Sequence, residues 1–170
     1  ALVYADTAPM LAEHPDLDQL FAVPRKNKGL AAEWRLFQQL KQRHYDLIIH
    51  LTDSSRGAWL ARLLGARWAV CGNYGKPKFW RKSFSHLYPI IGGNRRHTVE
   101  IHLDALRRIG IQPDQAQRKL ILATGDAARQ RIQQLLQQHG LRPKQFVQIH
   151  PASRWLFKCW PAARMAELIR

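Results

Sequence analysis

Ser153, Arg154 and Lys158 fall within one short stretch of the chain. A hydroxyl, a guanidinium and an ammonium so close together supply what an anion needs, a neutral donor and two full positive charges. The flanking residues supply a place to hold it. Phe146 to His150 is a β-branched and aromatic run that reads as a strand. Pro161 suits the first turn of a helix, and Ala162 to Arg170 carries helix formers with Met165, Leu168 and Ile169 on one side. A strand that passes through a polar loop into a helix gathers free backbone N–H groups and the positive end of the helix dipole at one point, which favours a phosphate or pyrophosphate. The same residues also fit an ordinary strand, loop and helix, with solvated charges and with Trp155 and Trp160 packed as core.

Other residues have positions from which chemistry could be done. Asp6 and Asp53 each follow a strand-like run, where a carboxylate can act as general acid or base but more readily caps a helix. Basic side chains occur in two turns, Arg25, Lys26 and Lys28 in the first and Arg56 in the second. His97 and Glu100 share a helix face that His102 does not, which speaks against a metal set. The sequence contains no catalytic triad, Walker loop, GxGxxG or zinc-type Cys/His spacing, and nothing in it calls for a cofactor or a metal. Cys71 and Cys159 lie far apart without CxxC spacing, as buried or loop thiols of a reducing compartment do.

The elements that must position these residues alternate. Leu2 to Ala5 reads as a strand, Thr7 to Glu13 as a short helix and Asp18 to Val23 as a second strand. Leu30 to Arg43 has apolar residues at 30, 34, 37 and 40, the spacing of a helix, and Tyr45 to Leu51 is a continuous apolar strand. Thr52 to Ser55 starts a helix that runs from Arg56 to Leu64 and stops at Gly65; Arg67 to Cys71 is a further strand. Such alternation, with runs as apolar as Leu47-Ile48-Ile49, predicts α/β architecture with a parallel sheet covered on both faces and ligands at the carboxyl ends of its strands. Gly72 to Arg96, rich in glycine, aromatic and basic residues, reads as a long loop. His97 to Ile109 is a helix stopped by Gly110. Lys119 to Ala123 reads as a short strand and Gly125 to Gly140 as a Gln-rich helix with Ile132, Leu135 and Leu136 inward.

Composition bounds the partners. The 170 residues are 46% apolar and carry 27 Lys and Arg against 12 Asp and Glu, a formal charge of +15. A disordered tail is excluded, and an anionic partner is implied, whether nucleic acid, an anionic lipid surface or a phosphorylated saccharide. No apolar run approaches the ~20 residues that span a bilayer, so membrane association is expected to be peripheral. Residue 1 falls inside a strand-like run and residue 170 inside a helix, so the sequence reads as cut at both ends.

The order strand, His150-Pro-Ala-Ser-Arg154, four residues, Cys159-Trp-Pro161, helix resembles the motif that opens the second domain of bacterial heptosyltransferases, glycosyltransferase family 9. His97 to Gly110, Tyr45 to Arg56 and Val3 to Leu11 resemble further parts of that family, so the resemblance covers nearly the whole chain. It implies the GT-B architecture of two Rossmann-like domains. Residues 1–124 would be the acceptor-side domain lacking its first strand, and residues 125–170 a linker helix and the start of the donor-binding domain. It also implies inverting transfer of heptose from ADP-heptose to the phosphorylated inner core of lipopolysaccharide, at the cytoplasmic face of the inner membrane. In that likeness Lys158 and Ser153 meet the donor pyrophosphate, with Arg154 beside them, and Arg56 faces the acceptor. Arg25, Lys26 and Lys28 are assigned to the acceptor by their charge. The family's general base, an aspartate after the first strand, would precede residue 1, and the fragment alone is expected to be inactive. A GT-B transferase using another nucleotide sugar, or a basic nucleic-acid-binding module, stays open as an alternative.

Overall fold

A computed structural model describes residues 1–25 and 29–169. Two compact units divide the chain, 1–122 and 123–170. The first is built on parallel strands. β1 (Leu2–Tyr4) pairs with β2 (Phe21–Val23), with Leu2 opposite Phe21. β3 (Leu47–His50), β4 (Trp68–Asn73) and β5 (His86–Pro89) form a second sheet in the order β3-β4-β5, with Leu47 opposite Trp68 and Val70 opposite His86. Every pairing is parallel, as the crossover spacing requires.

Helices cover both faces of the three-stranded sheet, and the alternation along β4 shows how. Ala69 and Cys71 point to one face, where they pack with Ala58 and Ala61 of α2 (Ser55–Leu64), with Trp80 of α3 (Lys78–Arg81), and with Phe84. Val70 points to the other, against Ala105, Ile101 and Ile109 on or beside α4 (Thr98–Arg107) and Tyr88 of β5. Two alanines on α2 let that helix lie close to the sheet, while the large rings of Trp80 and Phe84 fill the space beside it. α2 begins at Ser54, whose hydroxyl accepts from the Gly57 N–H at 3.2 Å, and ends at Gly65 in the left-handed conformation.

Among these elements three sequence expectations change. Gly72 to Arg96 is no simple loop, because it holds both α3 and β5. The Ser85 hydroxyl accepts from the Ala69 N–H at 2.9 Å and donates to the Ala69 carbonyl at 3.0 Å, so a side chain extends the ladder just ahead of β5. Between Thr7 and Glu13 only the 3-10 turn Ala8–Met10 is helical. On α1 (Leu30–Lys41) the inward side chains are Leu36, Phe37 and Leu40, while Leu30 and Trp34 face solvent. Half-buried Glu33 occupies the inward side of its first turn, drawn there by a charge on the next helix.

The second unit holds α5 (Asp126–Gln138), a 3-10 turn Leu156–Lys158 and α6 (Ala162–Ile169). Arg170, the expected end of α6, lies outside the described residues. The expected strands 119–123 and 146–150 do not form. An apolar run becomes a strand only when a neighbour completes its hydrogen bonds, and none among the described residues does so here. Leu120 is 89% and Val147 84% exposed. Ile132 and Leu135 of α5 are exposed for the same lack of a facing layer, and Leu136 alone of the expected three is half-buried.

Candidate functional site

The carboxyl end of β3 runs directly into the amino end of α2, and this turn holds much of the polar chemistry of the first unit. His50, the last residue of β3, is half-buried with its ring parallel to that of Phe84, centroids 5.7 Å apart. Its Nε2 lies 3.4 Å from the Thr52 hydroxyl, which accepts from the Ser54 N–H. Burial disfavours the imidazolium and lowers the His50 pKa, against the smaller opposing pull of the Ser54 backbone and the Asp53 carboxylate. The ring sits so close beneath α2 that a Cβ on Gly57 would come within 1.9 Å of it. Glycine at 57 is thus required by close approach.

Asp53 does not cap the helix; Ser54 does. The Asp53 carboxylate instead pairs with Lys76 from the segment after β4 at 2.9 Å, and the Lys76 hydrogen bond holds its pKa below the usual carboxylate range. Asp6 likewise pairs with Arg25 at 2.7 Å, and the Arg25 guanidinium lies over the Tyr4 ring. Both aspartates follow strands, but a cation in a later segment is a stronger partner than the backbone N–H groups of a helix start. Arg56 lies 2.7 Å from Glu33 of α1, with both side chains half-buried, and so ties the two helices together. Lys26 and Lys28 lie outside the described residues. His97 accepts from the Val99 N–H as the cap of α4, and Glu100 pairs with Arg107 and Arg118. Cys71 is buried beneath this turn, and burial pushes its thiol up to about 12.

In the second unit, Ser153 to Cys159 closes on itself. The Ser153 N–H donates to the Cys159 sulfur at 3.1 Å, and that sulfur lies 3.6 Å from the Trp155 carbonyl. Cys159 is the half-buried clasp of the loop, a role for which its position in the sequence gives no signal. Arg154 lies over the Trp155 ring and Lys158 over the Phe157 ring, both cations exposed and neither paired with a carboxylate among the described residues. The loop ends where α6 begins, with the Met165 N–H bonded to the Pro161 carbonyl at 3.1 Å. Ser153, Arg154 and Lys158 thus share one short loop at a helix start, two free cations beside backbone N–H groups.

Parallel strands joined by crossover helices, with polar turns at their carboxyl ends, define a Rossmann-like α/β protein. The chain belongs to glycosyltransferase family 9 (heptosyltransferase), whose profile matches residues 33–170. It is 34% identical to lipopolysaccharide heptosyltransferase 3 of Escherichia coli over 99% of its own length and 49% of that protein's. The protein of the same name from Escherichia coli strain K12 is 32% identical over the same shares. The crystal structure of the glycosyl transferase family 9 from Veillonella parvula superposes with a TM-score of 0.80 at 18% identity, covering 98% of this chain and 48% of that one. The fold is therefore that of a GT-B-type transferase, and the chain spans about half the length of the curated relatives it matches.

Proposed function

We propose that this chain is part of an inverting heptosyltransferase that moves L-glycero-D-manno-heptose from ADP-heptose to the phosphorylated inner core of lipopolysaccharide, adding heptose III. The observation that carries the reading is the 34% identity to lipopolysaccharide heptosyltransferase 3 along 99% of the chain. The exposed cations of the 153–158 loop add chemical support. In this reading residues 125–170 open the donor-binding domain. Lys158, with Arg154, Ser153 and the amino end of α6, offsets the charge that builds on the leaving diphosphate. Residues 1–124 form the acceptor side, with Arg25, Lys26 and Lys28 assigned to the phosphates of the core by charge and Arg56 by the family likeness; Arg25 and Arg56 would then exchange their Asp6 and Glu33 partners for the acceptor. A net charge of +15 keeps the protein at the anionic inner face of the inner membrane, as a peripheral protein.

Donor use tests the proposal. The full-length protein should transfer heptose from ADP-heptose and leave UDP- and GDP-sugars unused; transfer from one of those instead would reassign the donor. Lys158→Ala should lower kcat by about a hundredfold with core acceptor KM unchanged, because it removes a charge that acts mainly on the departing group. An unchanged kcat would remove the donor role from this loop.

A further inference from the structure

A pocket of about 330 Å³ opens between α2 and the α3 segment, lined among others by Ser55, Trp59, Lys76, Phe79, Trp80 and Ser83. It lies on the turns that follow β3 and β4, the end of a parallel sheet where ligands bind. Its volume falls at the lower end of the ~300–1,000 Å³ of small-molecule sites, room for a sugar ring rather than a nucleotide. Trp59 and Phe79 meet edge to face, with centroids 5.2 Å apart, yet are 50% and 53% exposed. Phe79 is fixed from behind. The Arg62 guanidinium lies 4.5 Å from its ring centroid and donates to its backbone carbonyl at 3.2 Å. Two large rings in contact, with half their area in water, form an exposed aromatic platform.

We infer that this pocket is a subsite for one sugar ring of the acceptor saccharide, with Trp59 and Phe79 as its stacking faces. A pyranose has a face of C–H groups that covers an aromatic ring and an edge of hydroxyls that exchange hydrogen bonds with polar neighbours. Both needs are met here. The aromatic rings supply the face, while Lys76 and Ser55 in the lining supply an ammonium and a hydroxyl. An acyl chain would cover the rings but make no use of Lys76 and Ser55. The inference rests on the proposed saccharide acceptor and adds to it the side chains that would grip a ring.

The test uses the full-length protein and core oligosaccharide freed of lipid, with binding read by titration calorimetry and transfer read separately. Because Trp59 and Phe79 are half-exposed, Trp59→Ala and Phe79→Ala leave the core intact. Each should weaken oligosaccharide binding about tenfold with the KM for ADP-heptose unchanged, and Phe79→Tyr should restore it. Equal affinity in wild type and variants, or no binding by wild type, overturns the subsite. A loss seen with lipid-bearing acceptor but not with the free oligosaccharide also overturns it and assigns the pocket to an acyl chain. Binding does not require turnover, so a wild type that binds the oligosaccharide and transfers no heptose contradicts the functional proposal while the variants still judge the subsite.

Discussion

Gly57 shows how one position couples a strand to a helix. Replacing glycine by alanine inside an exposed helix ordinarily stabilises by about 0.5–1 kcal/mol. Here the new methyl would meet the His50 ring at 1.9 Å, so the half-buried ring would have to give up its place beside Phe84. Gly57→Ala should therefore destabilise by about 1–3 kcal/mol in urea unfolding, and His50→Ala in the same chain should recover part of the loss. A stabilising or additive effect would show that the ring is free to move. At this scale the sequence was readable only for local chemistry. The cluster Ser153, Arg154 and Lys158 and the capping hydroxyl at the start of α2 could be read, since each depends on neighbours a few residues away. The pairs Asp53–Lys76 and Arg56–Glu33 join residues 23 apart, and Asp6–Arg25 joins residues 19 apart. Nothing in spacing marks such partners, so Asp6 and Asp53 looked like caps.

α4 is tied down by charge on one side and apolar packing on the other. Asp104 receives Arg96 at 2.8 Å and Arg107 at 2.7 Å, Glu100 receives Arg107 and Arg118, and Arg108 donates to the Leu87 carbonyl at the start of β5. The arginine hydrogen bonds hold both carboxyl pKa values below their ordinary range. A lowered native pKa means that the unfolded chain binds protons first as pH falls. The stabilisation is thus complete above the unfolded values of about 4 and is lost as pH drops through the lowered native ones. Melting temperature should fall steeply below about pH 4, and Asp104→Asn should flatten that slope; an unchanged slope would take α4 out of the acid transition. Among the elements, β1 to β4, α1, α2, α4 and α5 were legible because apolar period and end signals agreed. β5 was hidden in a segment whose glycines, prolines and charges suggested a loop, although Leu87 and Tyr88 are good strand formers. Phe146 to His150 failed in the opposite sense: its composition is that of a strand, but pairing, not composition, decides.

For the whole molecule, the parallel α/β fold and family 9 membership fit the proposed account, in which the first unit would hold an anionic saccharide and the second begin the donor site. The positive charge that composition reveals is consistent with that division and does not choose between saccharide, lipid and nucleic acid. Identities of 34% and 32% to two proteins named lipopolysaccharide heptosyltransferase 3 are the ground for the saccharide acceptor proposed above. The most direct measurement gives the full-length protein ADP-heptose and two purified inner cores, one lacking the third heptose and one carrying it. Product on the core that lacks it, and none on the other, is the predicted result. Product on both, or on neither while the donor is shown intact, would contradict heptose III addition.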